Sequence, residues 1–198
     1  MQFRPLRVEG AIEVTPRQFP DSRGMFAEGF RADKLAEHIG FELAVRQTNI
    51  SVSSAGAVRG IHYASLPPSQ AKYVTALSGV FLDFIVDIRV GSPTFGQWDV
   101  VRLDTVDRRA VYLSEGLGHV LACLEDGTAM YLCSEVYNPA GEKGVTPLDP
   151  TINLGLPADF APIVSEKDAA APTLAEALAA GLLPNYAECL AFRQSLHA

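Results

Sequence analysis

Apolar and polar residues alternate most regularly over residues 81–90. Leu82, Phe84, Val86, Ile88 and Val90 share one parity, while Phe81, Asp83, Ile85, Asp87 and Arg89 share the other. A period of two over such a stretch predicts a β-strand. Its second face sets two carboxylates and an arginine among large apolar groups, a mixture suited to the wall of a polar cavity. The same reading predicts strands over residues 43–51, 57–63, 71–77, 98–104, 110–113 and 129–137. Turn chemistry separates them at Gly56, Pro67-Pro68, Gly79, Gly91-Ser92-Pro93, Gly116 and Asp126-Gly127. Strands this close together, with no long helix between them, predict an antiparallel sandwich or jelly roll rather than a parallel α/β sheet.

Helical spacing is confined to two places. Residues 32–39 carry Leu35 and Ile39 at i,i+4, with Gly40 positioned to close the helix. Near the C-terminus, Thr173 and Glu176 have the spacing of a capping box, and Leu174, Ala177 and Leu178 form a stripe. Pro184 ends that segment, and Asn185 is placed to cap a last helix through Leu190 and Phe192. No repeat or linker divides the chain, so residues 1–198 are read as one domain.

Composition narrows the class. The chain is 48% hydrophobic and 20% charged, as expected of a globular protein with a sizeable core. Its 16 basic and 23 acidic residues give a net charge of −7, which argues against nucleic-acid or anionic-membrane partners. A small anionic ligand stays compatible, because a few convergent cations set the local potential. Cys123, Cys133 and Cys189 are far apart and odd in number, and read as thiols of a cytoplasmic protein. The N-terminus lacks the apolar core of a signal peptide. No uncharged apolar run approaches the ~18 residues of a membrane span.

Ionisable residues recur where packing alone would not place them. Arg59-Gly60-Ile61-His62-Tyr63 sets a cation and an imidazole three residues apart, around a glycine that lets the backbone bend or approach a ligand. Lys72 begins the next strand, His119 follows Gly116-Leu117-Gly118, and Tyr131 and Tyr137 share one parity. Each has a plainer reading. A lone strand histidine is more often structural, paired tyrosines pack across strands, and Asp83, Asp87 and Arg89 suit one internal ion-pair network. Together these residues allow a base, an acid and cationic anchors without selecting a reaction. Metal is not expected, because His62 has no His-x-His partner and His119 is distant in sequence.

These residues lie in segments that resemble the dTDP-4-dehydrorhamnose 3,5-epimerases and their relatives in antibiotic deoxysugar pathways. The segments are Asp21-Ser22-Arg23-Gly24-Met25-Phe26-Ala27-Glu28, Gln47-Thr48-Asn49, Arg59-Gly60-Ile61-His62-Tyr63, and Asp83 through Asp87-Ile88-Arg89. They continue with Gly91-Ser92-Pro93-Thr94-Phe95-Gly96-Gln97-Trp98 and with Ser165-Glu166-Lys167-Asp168 before Ala169-Ala170-Ala171-Pro172. Their order and spacing carry the resemblance. Ile61-His62-Tyr63 and Leu182-Leu183-Pro184 favour the actinomycete antibiotic-sugar branch.

The resemblance implies a mainly β, cupin-type jelly-roll barrel, with short helices near the N-terminal third and at the C-terminus. It implies a homodimer, a dTDP-linked 4-keto-6-deoxyhexose as substrate, and no cofactor. By the same likeness His62 is the base, oriented by Asp168, Tyr131 is the acid on the opposite face, and Lys72 stabilises the enolate. Arg23, Phe26, Glu28, Gln47, Asn49, Arg59, His119, Glu142 and Lys167 match positions that hold sugar, diphosphate or nucleotide. Arg23, Arg59 and Lys167 would focus positive potential where a diphosphate docks.

The chain departs from the family pattern at Gln70-Ala71-Lys72, Gly118-His119-Val120-Leu121, Tyr112 and Leu132-Cys133-Ser134. These changes touch pocket walls, and leave open whether C3, C5 or both are inverted and whether the substrate is a further-deoxygenated dTDP-4-keto sugar. A non-catalytic sugar-nucleotide-binding cupin and a metal-dependent cupin are the readings from other classes. In a regular strand Arg59 and His62 face opposite sides, so a bulge or bend near Gly60 is needed to bring both to one site.

Overall fold

The computed structural model describes residues 1–197. The chain opens with β1 (Gln2–Pro5) and β2 (Ala11–Thr15), the hairpin β3 (Gln18–Asp21) and β4 (Gly24–Ala27), and helix α1 (Ala32–Ile39). Next come β5 (Gln47–Ser53), β6 (Ala57–Ala64), β7 (Lys72–Val86), β8 (Trp98–Leu103), β9 (Ala110–Leu113) and β10 (Gly118–Cys133). Two short strands, β11 (Glu142–Gly144) and β12 (Ile163–Val164), precede helices α2 (Glu166–Ala169), α3 (Leu174–Ala179) and α4 (Tyr186–Ser195). No helix among the described residues is long and apolar enough to cross a membrane.

Two long strands make the barrel. The start of β7 pairs with β9 and its end with β8, while the start of β10 pairs with β6 and its end with β5. β7 and β10 also pair with each other along their whole length, with register shifts between Cys123 and Ala129. Each strand therefore belongs to both layers of a jelly roll, and the shifts bend it from one layer into the other. Residues 71–77 and 81–90, read from sequence as two strands, are largely one. Gly79 passes so close to β10 that a Cβ would lie 2.5 Å from the Asp126 carbonyl oxygen, and its φ is +74°. The residues that read as a turn, Asp126-Gly127, sit inside β10 at this crossing.

Burial explains why residues 81–90 are apolar on both parities. Phe81 and Ile85 face the barrel interior with Val74, Val101, Val111 and Leu121. Phe84, Val86 and Ile88 face an outer cluster with Ile61, Val120, Val145 and Leu174. A third cluster seats Leu35 and Ile39 of α1 on Tyr73 and Tyr112 of the other layer. The strand stops at Val86, because Asp87 turns inward and gathers the following loop. Its carboxylate accepts hydrogen bonds from Arg89, Ser92 and Thr94. The network expected of Asp83, Asp87 and Arg89 is accordingly split, since Asp87 pairs with Arg89 while Asp83 pairs with His119.

Other boundaries shift for local reasons. Strand 129–137 ends at Cys133, where Ser134 N–H turns to donate to the Ala71 carbonyl. Strand 43–51 begins at Gln47 and runs on to Ser53. The N-terminal strands, unread from sequence, extend this chain's own sheet, β1 on β2 and β2 on β9. The helices follow their signals. Gly40 donates its N–H to Ala36 to close α1, Thr173 and Glu176 form a reciprocal capping box, and Asn185 accepts from Ala187 and Glu188.

Candidate active site

Inward-facing polar side chains of β5, β6, β7 and β10 open onto one cavity of about 600 Å³ at one end of the barrel. That volume suits a drug-sized or nucleotide-sized ligand. Arg59 and His62 both line it. The conflict between their parities is resolved at Gly60, where the β6–β10 register shifts between His119 and Leu121. Gly60 has φ +133°, and a Cβ there would stand 2.3 Å from the His119 carbonyl oxygen, so the backbone admits only glycine.

His62 Nε2 lies 2.7 Å from Asp168 Oδ1. That contact commits Nε2 to the carboxylate and leaves Nδ1 as the ring's free nitrogen. Local chemistry places Asp168. Parallel pairing of β12 with β6 carries the chain past Val58, and Ser165 then caps α2 by accepting the Asp168 N–H at 3.1 Å. The Ser165-Glu166-Lys167-Asp168 sequence thus fixes the backbone of its own last residue. Lys167 lines the same cavity.

Tyr131 enters from β10. Its Oη is 3.2 Å from Ser51 Oγ, and burial pushes the phenol up to about 12, with Asp83 raising it further and Ser51 and Arg59 opposing. Its ring meets His119 edge-on at 5.6 Å. His119 in turn lies 2.8 Å from Asp83 Oδ1, and Asp83 is fully buried. Burial raises the Asp83 carboxyl, while His119 and Lys72 pull the other way. Two histidine–carboxylate pairs therefore border one cavity.

The anchors are held from behind. Arg59 donates to Ser53 Oγ and to the Val52 carbonyl, both at 3.0 Å. Gln47 donates to Asn49 at 2.6 Å and accepts from Tyr137 N–H, which places it behind the cavity wall. Lys72, Asn49 and Glu142 line the cavity, so the cations Arg59, Lys72 and Lys167 converge within a protein of net charge −7.

Besides Gln47, which supports the wall without lining it, three expected residues lie elsewhere in this chain. Arg23 is exposed in the β3–β4 turn and pairs with Asp21, Phe26 is 65% exposed on β4, and Glu28 pairs with Arg31. None lines the cavity. Conversely, Ser51, Gln70 and Ser165 line it without having been singled out. For Ser51 a signal existed, because Asn49, Ser51 and Ser53 are small and polar on one parity of a strand. Tyr137, read as sharing a face with Tyr131, also lines the cavity, although it lies beyond the end of β10.

The fold and these side chains define a jelly-roll protein whose barrel opens onto a cavity lined by two histidines, two tyrosines and convergent cations. The chain belongs to the dTDP-4-dehydrorhamnose 3,5-epimerase family, whose profile matches residues 5–176. It is 51% identical to the dTDP-4-dehydrorhamnose 3,5-epimerase of Mycolicibacterium smegmatis, over 99% of this chain and 97% of that one. It is 52% identical to the dTDP-4-dehydrorhamnose 3-epimerase of Streptomyces niveus, over 96% and 92%. Among solved structures, it resembles NovW, a 4-keto-6-deoxy sugar epimerase from the novobiocin biosynthetic gene cluster of Streptomyces spheroides. That match has a TM-score of 0.93 and 52% identity, covering 96% of this chain and 95% of the other.

Proposed function

We propose that this chain is an isomerase that inverts C3, or C3 and C5, of a dTDP-linked 4-keto-6-deoxyhexose without a cofactor. The observation that carries this reading is the joint presence of the His62–Asp168 pair, Tyr131 and Lys72 around one cavity. A carbon beside a ketone is acidic because its electron pair can move onto the carbonyl oxygen. In this mechanism His62 Nδ1 removes the proton, and Asp168 stabilises the resulting imidazolium. The Lys72 ammonium stabilises the enolate oxygen. Tyr131 then gives its proton to the other face of the carbon and the ketone re-forms; solvent takes the proton from the His62 imidazolium and returns one to the phenoxide. Arg59, Lys167, His119, Asn49 and Glu142 hold the sugar and the diphosphate, with Gln47 supporting Asn49 from behind and the guanidinium matching phosphate geometry.

Proton NMR of dTDP-4-keto-6-deoxyglucose with the protein in deuterium oxide tests this function. Deuterium at C3 and C5 of inverted product supports the double inversion, and no exchange at either carbon rules the epimerase out. A C3-only reaction is the second reading, because a relative named a 3-epimerase is matched at 52% identity, level with the 51% to one named a 3,5-epimerase. Label confined to C3 would select it.

We also read the working unit as a homodimer of one-domain chains. Ile50 and Val52 are 66% and 72% exposed on the outer face of β5. Arg23, Phe26 and Glu28 do not reach this chain's own cavity, and a second copy would give the β3–β4 hairpin a site to serve. Three buried free thiols favour a reducing, cytoplasmic setting.

A further inference from the structure

We propose that Ser51 is a positioning residue for Tyr131, holding the phenol for proton delivery and stabilising the charge left after it. The inference rests on Tyr131 being the acid.

The placement follows from the sheet. On β5 the odd positions Asn49 and Ser51 line the cavity, while Ile50 and Val52 face outward. In the β5–β10 register Ser51 lies opposite Ala129, and Asn49 opposite Tyr131. Ser51 is thus diagonal to Tyr131, within reach across a sheet because the residue facing it is only an alanine. Its Oγ stands 3.2 Å from the phenol oxygen, with either atom able to donate.

That ambiguity is useful to an acid. Without substrate the serine hydroxyl can accept from the phenol and hold its ring; once the enolate forms it donates instead, which frees the phenol's single proton to point at the carbon. As the phenol O–H bond breaks, the enolate carbon uses its C=C pair to form the new C–H bond, and the phenoxide is left in a buried position. The serine hydroxyl, already donating, stabilises that charge. The charges facing that oxygen are divided. Arg59 from β6 favours the phenoxide, whereas Asp83 from β7 disfavours it, and Cys133 from β10 itself is a buried neutral thiol. The His119 ring is edge-on, and Lys72 on β7 lies alongside Cys133 in the register. Arg59 is tied back to Ser53 and Val52. Among the described residues, Ser51 is the hydrogen-bond partner of the phenol oxygen.

The test compares wild type, Ser51→Ala, Ser51→Thr and Tyr131→Phe on dTDP-4-keto-6-deoxyglucose in deuterium oxide. An enolate denied its acid is re-protonated by His62 on the original face, which yields labelled but uninverted substrate. Ser51→Ala is expected to lower kcat for inversion about 10- to 100-fold, the range for a hydrogen bond to a charged group. KM should stay within about 3-fold, as for an interaction made in the transition state. The labelled, uninverted fraction should rise, and Ser51→Thr should restore inversion. Wild-type kinetics and labelling in Ser51→Ala, with Tyr131→Phe inactive in inversion, would overturn the role of Ser51 alone. Equal loss in the alanine and threonine variants would overturn it too. Normal inversion by Tyr131→Phe would overturn the acid assignment itself, and the proposal with it.

Discussion

The Asp168 carboxylate meets His62 at Nε2, 2.7 Å away, so Nδ1 is the ring nitrogen free to act. Asp168 can therefore work only through the tautomer and charge of His62. Asp168→Asn keeps the shape and the Ser165 cap but offers an amide in place of the charge. Its kcat is expected to fall about 10²–10⁴-fold, as when other histidine bases lose their carboxylate. Steady-state kinetics check this, with an unchanged circular dichroism spectrum showing that the fold is kept.

Gly60 couples fold to site. A methyl group there would meet the His119 carbonyl oxygen at 2.3 Å, in a backbone conformation that side chains avoid. Gly60→Ala should destabilise the protein by about 2 kcal/mol or more. It should also cost activity, because relief requires β6 to shift and separate Arg59 from His62. Urea unfolding and kcat/KM measure the two effects.

Asp87 and Arg89 form a pair with no exposed side-chain surface. Burial alone would raise the Asp87 carboxyl, but hydrogen bonds from Arg89, Ser92 and Thr94 outweigh it and hold it below the usual value. With the folded value depressed, this stabilisation is present above the unfolded carboxylate value of about 3.9 and is lost as pH falls through the folded one. Arg89→Met, which strands a buried charge, should cost about 3–5 kcal/mol at pH 7. Much less of that loss should remain at pH 3 in urea titrations.

Asp83 has the opposite sign. Burial raises its folded value, so its ionised form costs stability at pH above that value, and the cost disappears as pH falls. Asp83→Asn should keep or increase stability at pH 7, yet lower kcat about tenfold by releasing His119. Thermal unfolding and kinetics on one preparation separate these outcomes. A variant losing both equally would show that Asp83 is purely structural.

Short-range features were legible in the sequence, and crossings were not. The helix ends at Gly40, Thr173 and Asn185 depend on residues within one turn, and they form as read. Alternation placed Asp83 inside, but its pairing with His119 depends on how β7 and β10 run side by side. Gly79 and Asp126-Gly127 read as turns because their chemistry is that of turns, while their actual use is a close passage of two long strands. The site was legible through the family likeness more than through periodicity. Parity alone opposed Arg59 to His62, and only the irregular backbone at Gly60 reconciles them. Arg23, Phe26 and Glu28 matched by motif, but the chain's own fold leaves them outside the cavity.

As the proposed base, His62 removes the proton beside the ketone. The direct measurement is deuterium exchange at C3 and C5 of dTDP-4-keto-6-deoxyglucose, followed by NMR for wild type and His62→Ala at equal protein concentration. Exchange in the variant should be slower by about 10²–10⁴-fold or more, the contribution of a general base. Exchange at the wild-type rate by a folded His62→Ala protein would contradict the account.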